Sequence, residues 1–592
     1  MISPKSSSKK LPLQYRKTSR FKCGFWLPTM FFSAFFLLLT TLAYRDSLFA
    51  WSTLLPASFI ENEESQTIAK PARLIVDTGY ARYLGNQTFP NTVAYLGIPY
   101  AEPPLGDRRF RRPLPLDEHR VKGQSLTVGQ DGVIDARSYP EFCIQGSTGG
   151  GDAGGAGSED CLKVNIYTPA DANKSSKLPV LVYIHGGGYI FGNPRNWPFD
   201  HWVQQSPNVV IVSVYYRLSS FGFLATSAFA EDSSLGDLNA GFLDQVQALK
   251  WVNKNIEAFG GDPDKVTING ESAGGSSVEL HLVANGGSSK LFHGAIAQSV
   301  YRTPLPQPDQ QDTLFDFFAS IAECKTSNIK TTMACLRRAD ISVIAKAQDT
   351  ALYNLTSTGY KTFHPVIDGK ILSDYPTKLI KAGKFAKVPL IIGATSNETL
   401  SGGTDITIDL KKYFPSISDE DINALLLAYP QSSFVSSGER HDALTGDSEL
   451  RCARTIMATA FGAYHNSWTY RYNQPTPGAP KVYHAAENWM MFKGTATGYN
   501  GSTTFQPQSA ANEAFAEELI AYWLSFVRSG DPNTFKLSHS PKWEIYKSNT
   551  ERIVLQQPED GSVATSGSYV EEEGQDIQRC QIVERQADTQ QN

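Results

Sequence analysis

The sequence predicts an α/β fold built on a large, mostly parallel central sheet with helices on both faces. Three observations predict it. Leu178–Ile184 (LPVLVYI) and Val209–Tyr216 (VVIVSVYY) are unbroken apolar runs, the mark of strands buried on both sides. Asp244–Glu257 then places Val246, Leu249, Val252 and Ile256 at helical spacing. Finally Val266–Ile268, all β-branched, runs into Asn269-Gly270-Glu271-Ser272-Ala273-Gly274. That last stretch is a tight strand-to-helix turn of the G-x-S-x-G type, which lifts one serine hydroxyl to the sheet edge. Glycine is needed at Gly270 and Gly274 because a Cβ there would meet the facing strand or helix. Strand, helix, strand and turn in this order describe a doubly wound sheet.

The rest of the chain is read around that core. Its 592 residues exceed the usual single domain, although large α/β enzymes run as one unit. A hydrophobic share of 41% with 19% charged residues suits a large buried core. A net charge of −5 gives no electrostatic footprint for nucleic acid, and no solenoid or propeller period is present.

Residues 1–22 carry Lys5, Lys9, Lys10, Arg16, Lys17, Arg20 and Lys22 and no acidic residue. Cys23–Tyr44 is uncharged and long enough to cross a bilayer as one helix. The expectation is a signal anchor, with a basic cytoplasmic tail at 1–22 and everything after Arg45 outside. The competing reading is a cleaved signal peptide, processed at Thr41-Leu42-Ala43, which leaves a secreted protein. Residues 45–70 read as a polar linker, 71–575 as the folded body and 576–592 as a C-terminal tail.

Six of the seven cysteines lie beyond the apolar segment, which suits disulfides in an oxidising compartment. Cys324 and Cys335 are near neighbours in sequence, and Cys143 and Cys161 flank a Gly-rich loop, so each pair is expected to bond. Cys452 with Cys580 is left by elimination. Sequons at Asn86, Asn173, Asn354 and Asn500 are compatible with glycosylation. Asn397 also fits the rule, beside Glu398.

His185-Gly186-Gly187-Gly188-Tyr189 follows LPVLVYI directly. Backbone N–H groups of Gly187 and Gly188, joined by that of Ala273, are the expected oxyanion hole for an acyl substrate. His185 itself reads as structural.

Three long motifs then resemble the type-B carboxylesterase/lipase family, the group that includes cholinesterases. They are FGGDPDKVTINGESAG (Phe259–Gly274), SEDCLKVNIYTP (Ser158–Pro169) and YLGIPYAEPPLGDRRFRRP (Tyr95–Pro113). FVRSGDPN (Phe526–Asn533) extends the likeness, which runs from about Val76 to beyond Asn533. The resemblance implies an α/β-hydrolase fold and a serine nucleophile followed in chain order by an acid and a histidine. Asp368, Asp374, Glu398 and Asp405 are the acid candidates. Glu398 is chosen because it lies on the loop after the apolar strand Pro389–Ala394, where the family places its acid. This chain has GATSNET there (Gly393–Thr399), so Asn397 and Thr399 depart from the family's G-x-x-x-D-E-G. Asp368, in PVIDGKIL, matches a family turn. Among His441, His465, His484 and His539, His484 opens HAAENWMMF, which resembles the family's H-x-x-E/D stretch. His441 is read in a polar loop, His465 within a helix over Ala453–Trp468, and His539 near the C-terminal end. The expected catalytic set is therefore Ser272, Glu398 and His484, with Glu271 supporting it from behind. The resemblance also implies ion pairs Arg109–Glu159 and Arg217–Asp244. Lys163, where the family has an aromatic or Thr, is expected to face solvent.

The predicted function is hydrolysis of small to medium carboxylic esters through an acyl-enzyme, with no metal and no organic cofactor. Between Cys143 and Cys161 the loop IQGSTGGGDAGGAGSED has no aromatic residue to stack on a choline cation. It also lacks the apolar face of a lipase lid. The alternatives are a lipase or sterol esterase of the same family, or a catalytically silent adhesion protein. Phe292, Tyr301, Phe363 and the aromatics near His484 are candidates for a substrate pocket, with core packing the commoner use of such residues. Oligomeric state is not legible.

Overall fold

The computed structural model describes residues 74–125, 132–145, 156–355, 360–497, 502–547 and 550–592. The anchor segment 23–44, the linker, most of the loop between Cys143 and Cys161, and Asn500 lie outside the described residues. By internal contacts the chain divides into residues 1–68 and a body, Ala69–Asn592, to which all described residues belong. No helix among them is long and apolar enough to cross a membrane.

The body is organised on an 11-stranded sheet. In chain order its strands are β1 (Asn86–Phe89), β2 (Thr92–Pro99), β3 (Lys163–Pro169), β4 (Leu178–Ile184), β5 (Val210–Val214) and β6 (Gly261–Glu271). They continue with β7 (Gly294–Gln298), β8 (Leu390–Thr395), β9 (Ser467–Tyr472), β10 (Glu551–Leu555) and β11 (Tyr569–Glu572). Across the sheet the order is β11-β10-β9-β8-β7-β6-β4-β5-β3-β2-β1. The neighbours from β5 to β10 are all parallel, and antiparallel strands flank them.

Period-two side-chain alternation explains why the strands read as continuous apolar runs. In β4, Val180, Val182 and Ile184 enter one core, with the helices Ala240–Asn255 and Ala273–Val283. Leu181 and Tyr183 enter a second core on the other face, with Trp202, Phe492, Leu519 and Trp523. β5 divides in the same way, Val210, Val212 and Val214 against Ile211. Two apolar layers thus cover both faces of these central strands.

Disulfides join Cys143–Cys161, Cys324–Cys335 and Cys452–Cys580. Arg109 makes a two-pronged pair with Glu159 at 2.7 and 2.6 Å, and Arg217 one with Asp244 at 2.8 and 2.7 Å. Lys163 is half-buried, 3.8 Å from Asp160, rather than fully turned to solvent. Phe292 packs in the core.

Three expectations about elements differ. Residues 576–592 are not a tail apart from the body. Asp576–Arg585 and Ala587–Gln590 are helical, Cys580 and Val583 are buried, and Leu305 N–H donates to the Gln591 carbonyl at 2.8 Å. The apolar side of this segment is too narrow to stand out among its Asp, Gln and Arg residues. The helix predicted over Ala453–Trp468 ends at Gly462, and SWTYRY (Ser467–Tyr472) is strand β9. There the β-branched and aromatic residues outweigh the helical continuation. His441 lies in a helix, Ser437–Gly446, not a loop.

Candidate active site

Ser272 stands between the end of β6 and the helix Ala273–Val283, with φ 59° and ψ −123°. A non-glycine residue in that region is strained by roughly 1–3 kcal/mol, and the surroundings must hold it. They do so through the backbone: Ser272 N–H donates to the Gln298 carbonyl on β7 at 3.0 Å. The two glycines permit the close approach. A Cβ on Gly270 would lie 2.4 Å from Gly274 backbone atoms, and one on Gly274 would lie 2.0 Å from the Ile184 carbonyl oxygen. A Gly274→Ala protein is therefore expected to lose about 3 kcal/mol or more of stability by overpacking against backbone that cannot swing aside. Chemical denaturation followed by tryptophan fluorescence measures it.

Glu398 is held on the loop after β8, and His484 on the loop after β9. The Glu398 carboxylate is 0% exposed and accepts from Thr395 N–H through Oε1 at 3.0 Å. Its Oε2 lies 2.8 Å from His484 Nδ1, and His484 Nε2 lies 2.8 Å from Ser272 Oγ. The structure thus brings together side chains separated by up to 212 positions.

The two departures from the family loop have structural uses. Asn397 N–H donates to the Val482 carbonyl at 3.1 Å, and Val482 N–H donates back to Asn397 Oδ1 at 3.2 Å. This ties the acid loop to the histidine loop. Thr399 Oγ1 meets Thr445 Oγ1 at 2.7 Å and donates to Glu449 at 3.2 Å. Glu449, fully buried in the π-helical turn Asp447–Arg451, also accepts from the N–H groups of Leu400 and Ser401 and from the Ser401 hydroxyl. Arg451 Nη1 donates to the Ser396 carbonyl at 2.8 Å.

On the other side of Ser272 is the glycine run. Gly187 and Gly188 have φ 104° and 59°, and a Cβ on Gly187 would come within 2.1 Å of the Phe191 carbonyl oxygen. Ala273 is the first residue of its helix, so its N–H has no acceptor within the helix. His185 is buried, its ring stacked on Tyr216 with centroids 4.5 Å apart, and its Nδ1 is 2.8 Å from the Gly186 carbonyl. Burial pushes its pKa down to about 4, so the ring is neutral and packs as an apolar plate.

Two more buried acids lie near the imidazole. Glu271 Oε1 is 3.4 Å from His484 Nε2, and its Oε2 accepts from Asn488 Nδ2 at 2.9 Å. Glu487 accepts from Tyr470 Oη at 2.7 Å and Gln298 Nε2 at 3.1 Å. Burial raises Glu271 to about 7 and Glu487 to about 8. Burial would lower His484, but the carboxylates of Glu271 and Glu398 outweigh it and raise the imidazole to about 9. Removing the Glu271 charge should lower the imidazole pKa. A base must be neutral to take a proton, so the acid limb of kcat/KM is expected at lower pH in Glu271→Gln than in the unmodified enzyme. The pH–rate profiles of the two proteins check this.

The remaining candidates do other work. Asp368 Oδ1 accepts three successive N–H groups, from Lys370, Ile371 and Leu372, and forms a turn. Asp405 caps the helix Ile406–Tyr413, and Asp374 pairs with Lys378. His441 Nε2 is 2.8 Å from Asp409 Oδ2 inside the body, while His465 and His539 are exposed. Glu449, Glu487, Asn488 and Gln298 were not singled out from sequence. Of these, Glu487 had a signal, since it is the acidic residue of the H-x-x-E stretch. Among the described residues no group of three or more His, Cys, Asp or Glu side chains is arranged to hold a metal ion.

A strained serine at a strand-to-helix turn, facing an imidazole backed by a buried carboxylate, is the arrangement of a serine hydrolase. The chain belongs to the Carboxylesterase family, whose model matches residues 73–569. Lipase 2 of Geotrichum candidum is 33% identical over 495 residues, covering 74% of this chain and 84% of that protein. Carboxylesterase 1F of Mus musculus is 32% identical over 522 residues, covering 79% and 88%. Among solved structures, Aspergillus niger EstA superposes with a TM-score of 0.75 at 30% identity, covering 88% of this chain and 99% of that one. The Geobacillus stearothermophilus carboxylesterase EST55 gives 0.67 at 28% identity, covering 86% and 100%. The fold is that of the α/β-hydrolase esterases, and the protein is a carboxylic ester hydrolase.

Proposed function

We propose that the protein hydrolyses small to medium carboxylic esters through an acyl-enzyme on Ser272. His484 Nε2 takes the Ser272 proton as Oγ attacks the ester carbonyl carbon. The carbonyl oxygen becomes an oxyanion facing the N–H groups of Gly187, Gly188 and Ala273. His484 then gives the proton to the alcohol oxygen, and the C–O bond breaks. Water, deprotonated by His484, cleaves the acyl-enzyme by the same roles in reverse. Glu398 holds the Nδ1–H tautomer and stabilises the imidazolium. The observation that carries this reading is the imidazole of His484, 2.8 Å from Glu398 on one side and 2.8 Å from Ser272 on the other.

A fluorophosphonate probe tests it. Labelling at Ser272, lost in Ser272→Ala together with turnover of an ester panel, is the expected result. An unlabelled wild-type protein would instead be a silent adhesion relative. A dispersed substrate is favoured over an oil interface because 143–161 lacks the sequence of an amphipathic lid. Rates that climb sharply above a triglyceride's solubility limit would favour a lipase.

The placement of this activity is also proposed: 23–44 anchors the body in the membrane of the secretory pathway, with the enzyme on the lumenal or extracellular side. Three disulfides support an oxidising compartment, and Asn86, Asn173 and Asn354 are exposed, as glycan acceptors must be. Carbonate extraction of membranes, with and without residues 1–44, distinguishes an anchor from a cleaved signal.

A further inference from the structure

A cavity of about 170 Å³ opens beside the serine turn. Its wall begins at Tyr301, whose N–H donates to the Ser272 carbonyl at 3.3 Å and whose carbonyl accepts from the Ser276 hydroxyl. A smaller cavity shares Leu352 and Thr362 with it and reaches Ile190, whose N–H donates to the Gly187 carbonyl at 3.0 Å. The two cavities thus meet at Leu352 and Thr362, the larger bordering the serine turn through Tyr301 and the smaller bordering the glycine run through Ile190. The loop 482–487, which carries His484, is not among the residues lining either. The leaving alcohol must lie where His484 protonates it, and the cavity, which borders the serine turn through Tyr301, is assigned to the acyl side of the ester.

The chemistry of the walls is specific. Tyr301 and Tyr413 meet edge to face, with ring centroids 6.1 Å apart, and both line the space. His364, also lining it, is pushed down by burial to about 4 and is neutral, its two ring nitrogens each 2.8 Å from a threonine hydroxyl. Lys361 and Lys412 are the cationic residues lining the cavity, and Lys412 is exposed. Gln311 lines the same cavity, is 1% exposed, and its Oε1 has no hydrogen-bond partner. It precedes the helix Asp312–Ile321, whose first carboxylate is locked by Thr226 and Ser227 at 2.6–2.8 Å. A buried acceptor without a donor costs about 1–3 kcal/mol, which a ligand's own donor would recover.

We propose that this cavity takes an aromatic acyl group bearing a hydroxyl, and that Gln311 is its specificity-determining residue, accepting the phenolic O–H. Aromatic walls suit a ring. The two lysines disfavour an ammonium donor, and a neutral phenol satisfies Gln311 without importing a charge. The substrate class is thus esters of phenolic acids, and the net reaction is ester plus water giving phenolic acid plus alcohol. This rests on the ester-hydrolase reading above.

The test compares three methyl esters of phenylpropanoic acid: the para-hydroxy, the para-methoxy and the unsubstituted compound. For the full-length enzyme, kcat/KM for the hydroxy ester is expected to exceed that for the methoxy ester by about tenfold or more, the lower part of the range a lost buried hydrogen bond commands. In Gln311→Leu the ratio should collapse towards one, and in Gln311→Glu, which keeps an acceptor, it should persist. Equal rates for the hydroxy and methoxy esters in the wild type would overturn the proposal with no variant needed. So would a ratio unchanged in Gln311→Leu. If none of these esters nor p-nitrophenyl acetate is turned over, the ester-hydrolase mechanism has failed instead.

Discussion

Glu398→Gln is expected to lower kcat for p-nitrophenyl acetate by about 10⁴-fold, with KM little changed, the scale known for the equivalent change in serine proteases. The carboxylate is buried, and its Oε2 faces His484 Nδ1 at 2.8 Å. With a carboxylate there, Nδ1 must carry the hydrogen, which leaves Nε2 free to accept the Ser272 proton. A glutamine amide can present N–H to Nδ1 and invert the tautomer. Nε2 then carries hydrogen and cannot act as base. The imidazolium that forms during attack would also lose its counter-charge. Because Gln is nearly isosteric and Thr395 N–H can still donate to its carbonyl, the fold should survive. Steady-state kinetics with matched circular dichroism checks both halves; a loss under tenfold would remove Glu398 from the proposed mechanism.

The second large effect concerns stability. Replacing Cys452 and Cys580 together by alanine is expected to cost about 5 kcal/mol on the chain-entropy estimate, because the bond closes a loop of 128 residues. Both cysteines are buried, so the substitution also removes packing at the junction of the helix Cys452–Gly462 and Asp576–Arg585. Neighbouring Arg454 pairs with buried Glu573 at 2.8 Å, and that contact should loosen as well. The Cys324–Cys335 pair closes only 11 residues, so its removal should cost less on the same estimate. Urea unfolding of both double variants gives the ordering, and equal midpoints would refute it.

Much of the site was readable because its parts sit at strand ends. The serine turn, the glycine run after Leu178–Ile184 and Glu398 after Leu390–Thr395 each follow a short apolar run, and such runs are what a sequence displays best. His484 needed the resemblance, since no strand precedes it directly. What stayed hidden was the support. Glu449 reaches residues 399–401 across 48 to 50 positions, from a π-helical turn that no periodicity announces. Glu271 was read as supporting from its place beside the nucleophile, but its approach to His484 at 3.4 Å depends on the packing of a separate loop. His441 was placed in a polar loop because its helix, SGERHDALTG, is mostly polar, and the burial of one imidazole against Asp409 left no trace in the pattern.

The reciprocal backbone and side-chain bonds between Asn397 and Val482 carry a mechanical consequence. Glu398 and His484 are therefore expected to move together, whereas Ser272 stands at the end of β6, which β7 separates from β8. Gentle heating or a surface mutation that disturbs the enzyme should therefore pull the base and carboxylate away from the hydroxyl as an intact couple.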